Sequence, residues 1–509
     1  MKKIILYAVI LTATLVACNN NNFVAEDNTI TMPEEISAVE EIYLADPEAG
    51  ALRSFGKALY TAMSESPMLR EIIKVEAMKQ FNKDYDVLYQ LIKNKEVENG
   101  LTVRNLLLRY FEDEATLTRI EARCPTLTIF VPKLPEDSFS ADTWNTAEQI
   151  PAVAIRAKHH SVPIISEYGF FDENSDEFVV EGCYIPAFPV VVLKQNERVR
   201  VARDRVQTQS AILNSAGSDF VFEFVDDVFD GSKTENTVQR AVLSGEVDQK
   251  VIDAYTIYQN TDGWQRDYIY YGLTPSNTTG PFCYDFQEKV TSFRFSNSVT
   301  PAQILAKISD AANDPKFVIA FWTDGSFEFN ITAEIGTTGI PSSTMTVAFF
   351  ANPEDLFEVT YNSGGFLFTS TITGFKTISI NSPLMKWNLA NYAPAIKLSI
   401  CEFDLSETIT STSSSTIEFA GNIEYNMIKI GLKFGASGKY THNSTFTRVI
   451  YTGSDALGDV LIDFADKVVL SNTVKVLPLI LGGGTISIYN IREYDNGVYV
   501  ITMEPKRVQ

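Results

Sequence analysis

The sequence predicts an α+β, multidomain protein with a helical N-terminal layer, a mixed α/β middle region and a C-terminal antiparallel β-sandwich. Between residues 31 and 122, apolar residues recur at the spacing of an amphipathic helix. Near Pro125 the spacing changes to every second residue, and from Lys316 to the C-terminus this alternation dominates, as it does in strands with one buried face. The 509 residues include 33 Phe and 22 Tyr, which suits strands and allows more than one hydrophobic core.

The first residues of the chain have the features of an export signal. Lys2 and Lys3 precede an apolar run over residues 4–16, which is too short to cross a bilayer as a stable helix. The run ends in Leu-Val-Ala followed by Cys18. This motif resembles the lipobox of bacterial lipoproteins, in which the cysteine is acylated and becomes the first residue of the mature chain.

The resemblance implies a membrane anchor at Cys18, with palmitate or a similar acyl chain, and a location in the cell envelope. In that family an aspartate after the cysteine favours the inner membrane. Asn19 stands there in this chain, so the outer membrane is favoured. We therefore predict that residues 1–17 are a lipoprotein signal peptide and that residues 18–30 form a flexible, polar tether.

Residues 31–122 are predicted to form a series of helices. Thr31 and Glu34 make a capping-box pattern, and Ser66 followed by a proline is the expected start of a further helix. Thr102 is the predicted N-cap of the last helix. The apolar positions predicted to line these helices are Ile36, Val39, Ile42, Leu52, Phe55, Leu59, Met63, Leu69, Ile72, Ile73, Val87, Leu88, Leu91, Ile92, Leu106 and Leu107.

Residues 123–315 are predicted to form a mixed α/β domain. A helical pattern returns over residues 246–258, and Thr300 with Gln303 makes a second capping box. An unbroken apolar run such as residues 189–193 suits a strand that is buried on both faces. The predicted strands of this region cover residues 126–132, 164–171, 177–180 and 189–193.

Residues 316–509 are predicted to fold as one or two antiparallel β-sandwiches. Alternation is unbroken over residues 327–335, and a change of phase within residues 423–434 predicts a β-bulge. Asn496 and Gly497 lie between two alternating runs. They predict a hairpin with a type I′ turn, which needs positive φ at both central residues.

Composition excludes several classes of function. The formal net charge is −22 and no basic block exists, so the sequence argues against nucleic-acid binding and against electrostatic docking on anionic lipid. Besides Cys18, the cysteines are too widely separated to form a C-x-x-C metal motif. They can form disulfides or remain as buried free thiols; they are Cys124, Cys183, Cys283 and Cys401.

No cofactor is indicated, apart from a weak pattern for calcium. Asp226, Asp227 and Asp230 lie in one acidic turn and could form an oxygen cage for Ca²⁺. The alternative is a solvated turn between strands. The three histidines form no H-E-x-x-H motif, which argues against a histidine-ligated zinc hydrolase.

The best candidate for ligand binding in the sequence is the stretch from Trp264 to Tyr270. If this stretch is a strand, Tyr268 and Tyr270 share one face of it, and Arg266 and Asp267 can hydrogen-bond to hydroxyl groups. Aromatic rings with such neighbours suit a sugar platform. The alternative is that the same rings are buried in a core.

We predict a lipid-anchored envelope protein with a non-catalytic binding or interaction role, whose partner is a glycan or an envelope protein. This prediction follows from the absence of a catalytic motif in the sequence and from analogy with other tethered β-sandwiches. One alternative is a carboxylate-dependent hydrolase such as a glycosidase, because two acids brought together by folding leave no sequence motif. Another is a β-hairpin pore-forming protein, because residues 407–451 alternate apolar and small polar side chains.

Overall fold

The computed structural model describes residues 37–508 with internal gaps. In the strands over residues 410–420 and 441–451 it describes the backbone only. The residues outside the description are 1–36, 158, 160, 168–175, 203–211, 214–219, 233–246, 262, 309–320, 324, 338–342, 403–409, 421–440, 452–454, 478–483 and 509.

Helices are concentrated in the first third of the described chain, and strands dominate the remainder, so the fold class is α+β as predicted. The helices are α1 (Ala38–Ala45), α2 (Pro47–Glu65), α3 (Pro67–Ala77), α4 (Tyr89–Ile92), α5 (Val103–Leu108), α6 (Glu114–Arg123), α7 (Gln249–Tyr258), α8 (Gln265–Tyr271), α9 (Pro301–Ile308) and α10 (Pro353–Leu356).

The strands before residue 300 are β1 (Asp86–Leu88), β2 (Glu96–Glu98), β3 (Leu101–Thr102), β4 (Leu127–Phe130), β5 (Ala152–Ile155), β6 (Ser161–Ile165), β7 (Glu177–Glu181), β8 (Tyr184–Pro186), β9 (Val190–Gln195), β10 (Val199–Val201), β11 (Ile212–Leu213), β12 (Phe222–Phe224) and β13 (Phe286–Phe295). Those after it are β14 (Phe327–Thr337), β15 (Ser343–Ala351), β16 (Phe357–Ser363), β17 (Leu367–Phe375), β18 (Ile378–Met385), β19 (Tyr392–Glu402), β20 (Thr410–Ala420), β21 (Thr441–Tyr451), β22 (Asp455–Asp463), β23 (Val469–Leu477), β24 (Gly484–Ile491), β25 (Glu493–Asp495) and β26 (Tyr499–Arg507).

Several helices begin where the sequence predicts them to begin. The Ser66 hydroxyl accepts a hydrogen bond from the Leu69 amide at 3.1 Å and caps α3. Thr102 caps α5 by accepting from the Asn105 amide at 3.2 Å. The capping box before α9 is also confirmed, because the Thr300 amide donates to Gln303 Oε1 at 2.8 Å and the Gln303 amide donates to Thr300 Oγ1 at 3.3 Å.

A six-stranded sheet in the order β1-β4-β9-β5-β6-β7 forms the core of the N-terminal half. Residues 190–193 of β9, near the centre of the sheet, are buried on both faces, as the apolar run over residues 189–193 predicts. Helix α2 lies against this sheet at Gly56, where an added Cβ would come within 2.7 Å of Ile165 Cδ1. Glycine therefore allows the close approach of helix and sheet.

The predicted helix lined by Val87, Leu88, Leu91 and Ile92 is wrong in its first part. Residues 86–88 form β1, which pairs antiparallel with β4, and only α4, a single helical turn, follows. Val87 and Leu88 are both buried, one on each face of β1. Pairing with a neighbouring strand thus overrides a local pattern that fits a helix equally well.

Two four-stranded antiparallel sheets pack face to face in the C-terminal half, in the orders β18-β13-β26-β25 and β15-β14-β19-β22. Phe293 of β13 bridges them, with its ring centroid 5.4 Å from Phe329 of β14 and 5.3 Å from Phe349 of β15. The predicted alternation in β14 is confirmed, because Phe329, Ile331, Ala333 and Ile335 are all buried.

The predicted hairpin at Asn496 exists, but it is not of type I′. Asp495 pairs with Val500, so the loop has more than two residues, and only Gly497 has positive φ, at 87°. Asn496 instead uses its side chain, whose Oδ1 accepts from the amides of Val498 and Tyr499 at 2.9 Å each. The asparagine therefore acts as an Asx-turn residue rather than as a left-handed one.

Candidate ligand-binding surface

The stretch predicted to be a sugar-binding strand is helix α8 in the structure, so the predicted strand is wrong. The helix ends at Gly272, whose φ of 66° is the left-handed conformation of a helix C-terminus. Arg266 and Tyr270 are four residues apart and therefore lie on one face of this helix. Both side chains are fully buried. This agrees with the alternative interpretation of the sequence, in which the stretch is part of a core.

Arg266 and Tyr270 converge on one buried carboxylate, that of Glu288 in β13. Arg266 Nε lies 2.8 Å from Glu288 Oε1, its Nη2 lies 3.1 Å from Oε2, and the Tyr270 hydroxyl donates to Oε1 at 3.1 Å. Burial and the Glu288 charge raise the pKa of Tyr270, so the phenol stays protonated. This ion pair joins α8 to β13 and is part of the core.

The other predicted ligand-binding residues lie at the edge of the same core. Trp264 is half-buried, with its ring centroid 6.2 Å from that of Phe464. Asp267 is buried and Tyr268 is half-buried against the core. In this structure Arg266, Asp267 and Tyr270 are therefore not accessible to a glycan.

An aromatic ladder leads from this core to the surface. The Tyr270 ring stacks on Phe282, with centroids 5.4 Å apart and planes at 3°. Phe282 contacts Tyr284 edge to face, with centroids 4.9 Å apart. Tyr284 is 63% exposed, whereas Tyr270 is buried. Tyr284 is thus the solvent-exposed end of a row of packed rings.

Lys386 contacts the exposed end of the ladder, and Asn388 contacts Tyr271, whose ring packs against Phe282. Lys386 Nζ lies 5.8 Å from the centroid of the Tyr284 ring, within the range of a cation–π contact. Asn388 Oδ1 accepts from the Tyr271 hydroxyl at 3.1 Å and from the Ala390 amide at 3.0 Å. These two bonds assign the oxygen, so the amide NH₂ of Asn388 points away from them.

We call Phe282, Tyr284, Lys386 and Asn388 the Tyr284 surface. Its chemistry is a ring face, an ammonium group and an amide donor, a combination that can stack on a ligand and hydrogen-bond to it. This surface was not predicted from the sequence. The only local signal is the alternation of Phe282 and Tyr284 after a Gly-Pro pair, and nothing in the sequence places Lys386 beside them.

A second cluster of charges is buried between the two halves of the described chain. Arg198 Nε lies 2.6 Å from Glu328 Oε1 of β14, and Arg198 Nη2 lies 3.3 Å from Asp84 Oδ2. Lys194 Nζ lies 3.6 Å from Asp86 Oδ1 and 2.9 Å from Glu197 Oε2. We call these six residues the Arg198 cluster. It connects the β9–β10 segment to the sheet that contains β14.

Two carboxylates in the Arg198 cluster have perturbed pKa values. Burial raises the pKa of Asp86 to about 6 and that of Glu328 to about 7, although Lys194 and Arg198 oppose the shifts. Such shifts are typical of catalytic acids but also of structural ion-pair networks. Asp86 is 1% exposed and Glu328 is 5% exposed, so no substrate reaches them in this structure.

In the acidic turn predicted to hold calcium, the carboxylates of Asp226 and Asp230 accept hydrogen bonds from backbone amides. Asp226 Oδ1 accepts from the Val228 amide at 2.9 Å, and Asp227 begins the short 3-10 helix that follows. Asp230 Oδ1 accepts from the Ser232 amide and hydroxyl at 2.9 and 2.6 Å. Across the described residues, no group of three or more His, Cys, Asp or Glu side chains is arranged to hold a metal ion.

The remaining predictions concern the lipid anchor, the pore-forming alternative and the cysteines. Cys18 and residues 423–434, on which the lipid anchor and the pore-forming alternative depend, lie outside the described residues. The remaining cysteines are free thiols. No helix in the described ranges is long and apolar enough to cross a membrane.

Comparison with protein-family models, with curated proteins and with solved structures finds no match to this chain.

Proposed function

We propose that this protein is a lipid-anchored cell-envelope protein with a binding role, and that its ligand contacts the Tyr284 surface. The observation that carries the proposal is Tyr284, which is 63% exposed although its ring packs against Phe282. An exposed ring that is already held in place loses little conformational entropy when a ligand stacks on it.

The neighbours of Tyr284 support binding of a polyhydroxylated ligand such as a glycan. Tyr271 contacts Phe282 edge to face, and its hydroxyl accepts from the Leu389 amide at 2.8 Å, so the segment that carries Lys386 and Asn388 is held against the ladder. The ammonium of Lys386, over the Tyr284 ring, and the amide NH₂ of Asn388, beside Tyr271, are hydrogen-bond donors of this surface. A sugar presents C–H faces for the ring and hydroxyl oxygens for the donors.

The proposal is tested by glycan-array and calorimetric binding to the full chain and to its Tyr284→Ala variant. Removing the ring removes the stacking contact, and we expect at least about tenfold weaker binding, or about 1.4 kcal/mol. The matched control is Phe366→Ala, since Phe366 is also 63% exposed but lies between β16 and β17. Equal binding by the wild type and Tyr284→Ala would refute this surface as the site.

The lipid anchor and the division into three regions are part of the same proposal. A helical layer over residues 31–122, a mixed region over residues 123–315 and a β-sandwich region over residues 316–509 would follow the tether that begins at Cys18. These regions share sheets, because β1 pairs with β4, and β13 pairs with β18 and β26. Acyl chains contribute about 0.8 kcal/mol per buried methylene group, so two chains make attachment durable. We expect Cys18→Ala to move the protein from the membrane fraction to the soluble fraction. A variant that still sediments with membranes would contradict the anchor.

A further inference from the structure

We propose that the Tyr284 surface selects an acidic sugar, that is, a sugar unit that carries a carboxylate or a sulfate. This inference rests on the proposed binding function and specifies the class of its ligand. Lys386 contacts the exposed ring of the ladder, and two further cations, Lys250 and Arg507, contact the ring of Phe286, two residues later in the chain. The formal net charge of the whole chain is −22. A cation beside an exposed aromatic ring, in so acidic a chain, is the feature that needs an explanation.

Lys386 is the first of these cations. Its Nζ lies 5.8 Å from the centroid of the Tyr284 ring. Among the described residues, no carboxylate lies within ion-pair distance of it, although acids outnumber bases by 64 to 42 in the whole chain. A cation–π contact orients the ammonium without neutralising its charge. Lys386 therefore remains able to bind an anion beside the ring.

The other cations surround Phe286, two residues after Tyr284. Lys250 Nζ lies 5.4 Å from the centroid of this ring and Arg507 Cζ lies 4.9 Å from it, and Lys250 also lacks a carboxylate partner among the residues described. Arg507 is paired with Asp248 at 2.6 Å. Asp285 is a second acid close to Arg507, and it contributes to the raised pKa of Arg507.

An acidic sugar fits this arrangement better than a neutral one. Its pyranose ring presents a C–H face to Tyr284, and its carboxylate or sulfate can accept a charge-assisted hydrogen bond from Lys386. Such bonds are about twice as strong as those between neutral groups. The net charge of the whole chain repels anions, so a lysine beside the exposed ring also favours this surface as the place where an acidic polymer attaches.

The test uses oligogalacturonate, the neutral galactan oligomer of equal length and a sulfated oligosaccharide, each titrated calorimetrically into the full chain. We expect the acidic oligomers to bind at least about tenfold more tightly than the neutral one, and the difference to shrink as salt is added. Lys386→Gln should remove the difference and Lys386→Arg should retain it. Lys376→Gln, a change of an exposed lysine outside the surface, should leave binding unchanged.

The outcomes separate this inference from the proposed function. Equal affinity for acidic and neutral oligomers, unaffected by Lys386→Gln but lost in Tyr284→Ala, would overturn the acidic selectivity and leave the binding surface intact. If Lys386→Gln keeps the preference for acidic oligomers and Tyr284→Ala keeps the wild-type affinity, the selectivity and the surface are overturned together. Binding of the sulfated but not the carboxylated oligomer, or the reverse, would support the inference and identify the anionic group.

Discussion

Replacing Arg266 with Met tests whether α8 is a buried element, as the structure has it, or an exposed platform. The change removes both hydrogen bonds to Glu288, at 2.8 and 3.1 Å, and the bond to the Asp466 carbonyl oxygen at 2.9 Å. It also leaves Glu288 as an unpaired carboxylate that is fully buried.

The expected loss in free energy of unfolding follows from the burial of the ion pair. Breaking a buried ion pair by removing one partner costs about 3–5 kcal/mol, whereas an exposed pair is worth about 0–1 kcal/mol. The double variant Arg266→Met/Glu288→Gln removes the orphaned charge and leaves an amide oxygen as acceptor for the Tyr270 hydroxyl. We therefore expect the double variant to be more stable than the Arg266→Met single variant.

Urea unfolding followed by tryptophan fluorescence measures these differences, because Trp387 lies 5.4 Å from the Arg266 guanidinium. The matched control is Arg294→Met, which breaks the more exposed pair with Glu493 at 3.0 Å and should cost less than about 1 kcal/mol. Equal costs for Arg266→Met and Arg294→Met, or a double variant Arg266→Met/Glu288→Gln that is less stable than Arg266→Met alone, would refute the reasoning.

Three further predictions concern other parts of the chain. The raised pKa values of Asp86 and Glu328 mean that the folded protein holds protons that the unfolded chain releases. The stabilisation that results is complete below about pH 4 and is lost as the pH rises through about 6 to 7. Thermal melts at a series of pH values should show this loss, and Glu328→Gln should flatten the dependence of the melting temperature on pH. Ser66→Ala should lower the free energy of unfolding by about 1 kcal/mol in urea titrations, because the N-cap of α3 is lost, and an unchanged midpoint would contradict that role. Tyr499→Phe should cost about 1 kcal/mol in the same assay, since its buried hydroxyl donates to the Leu398 and Gly458 carbonyl oxygens at 3.3 Å.

Local signals in the sequence predict the structure correctly where a residue's role depends on its immediate neighbours in the chain. The cap at Ser66, the capping box at Thr300 and the alternation over residues 327–335 are all found in the structure. Each of them depends on hydrogen bonds or periodicity within a few residues. The α+β class follows from the same signals.

Partners distant in the chain account for the wrong predictions. Val87 and Leu88 fit a helical pattern, but their backbone pairs with β4, about forty residues later. Tyr268 and Tyr270 fit a strand pattern, yet the buried carboxylate of Glu288 is reached by Arg266 and Tyr270 from one turn of a helix. The Tyr284 surface combines side chains about a hundred residues apart, so no local pattern indicates it.

The most direct test of the account is chemical nitration of tyrosines in the folded full chain, with modified residues identified by mass spectrometry. Tyr284 is exposed and Tyr270 is buried, so we expect Tyr284 to react and Tyr270 to be protected. Addition of a bound acidic oligosaccharide should then protect Tyr284 while leaving the exposed side chains elsewhere reactive. Rapid nitration of Tyr270, or a rate at Tyr284 that is unchanged when ligand is bound, would contradict the buried ladder or the binding surface respectively.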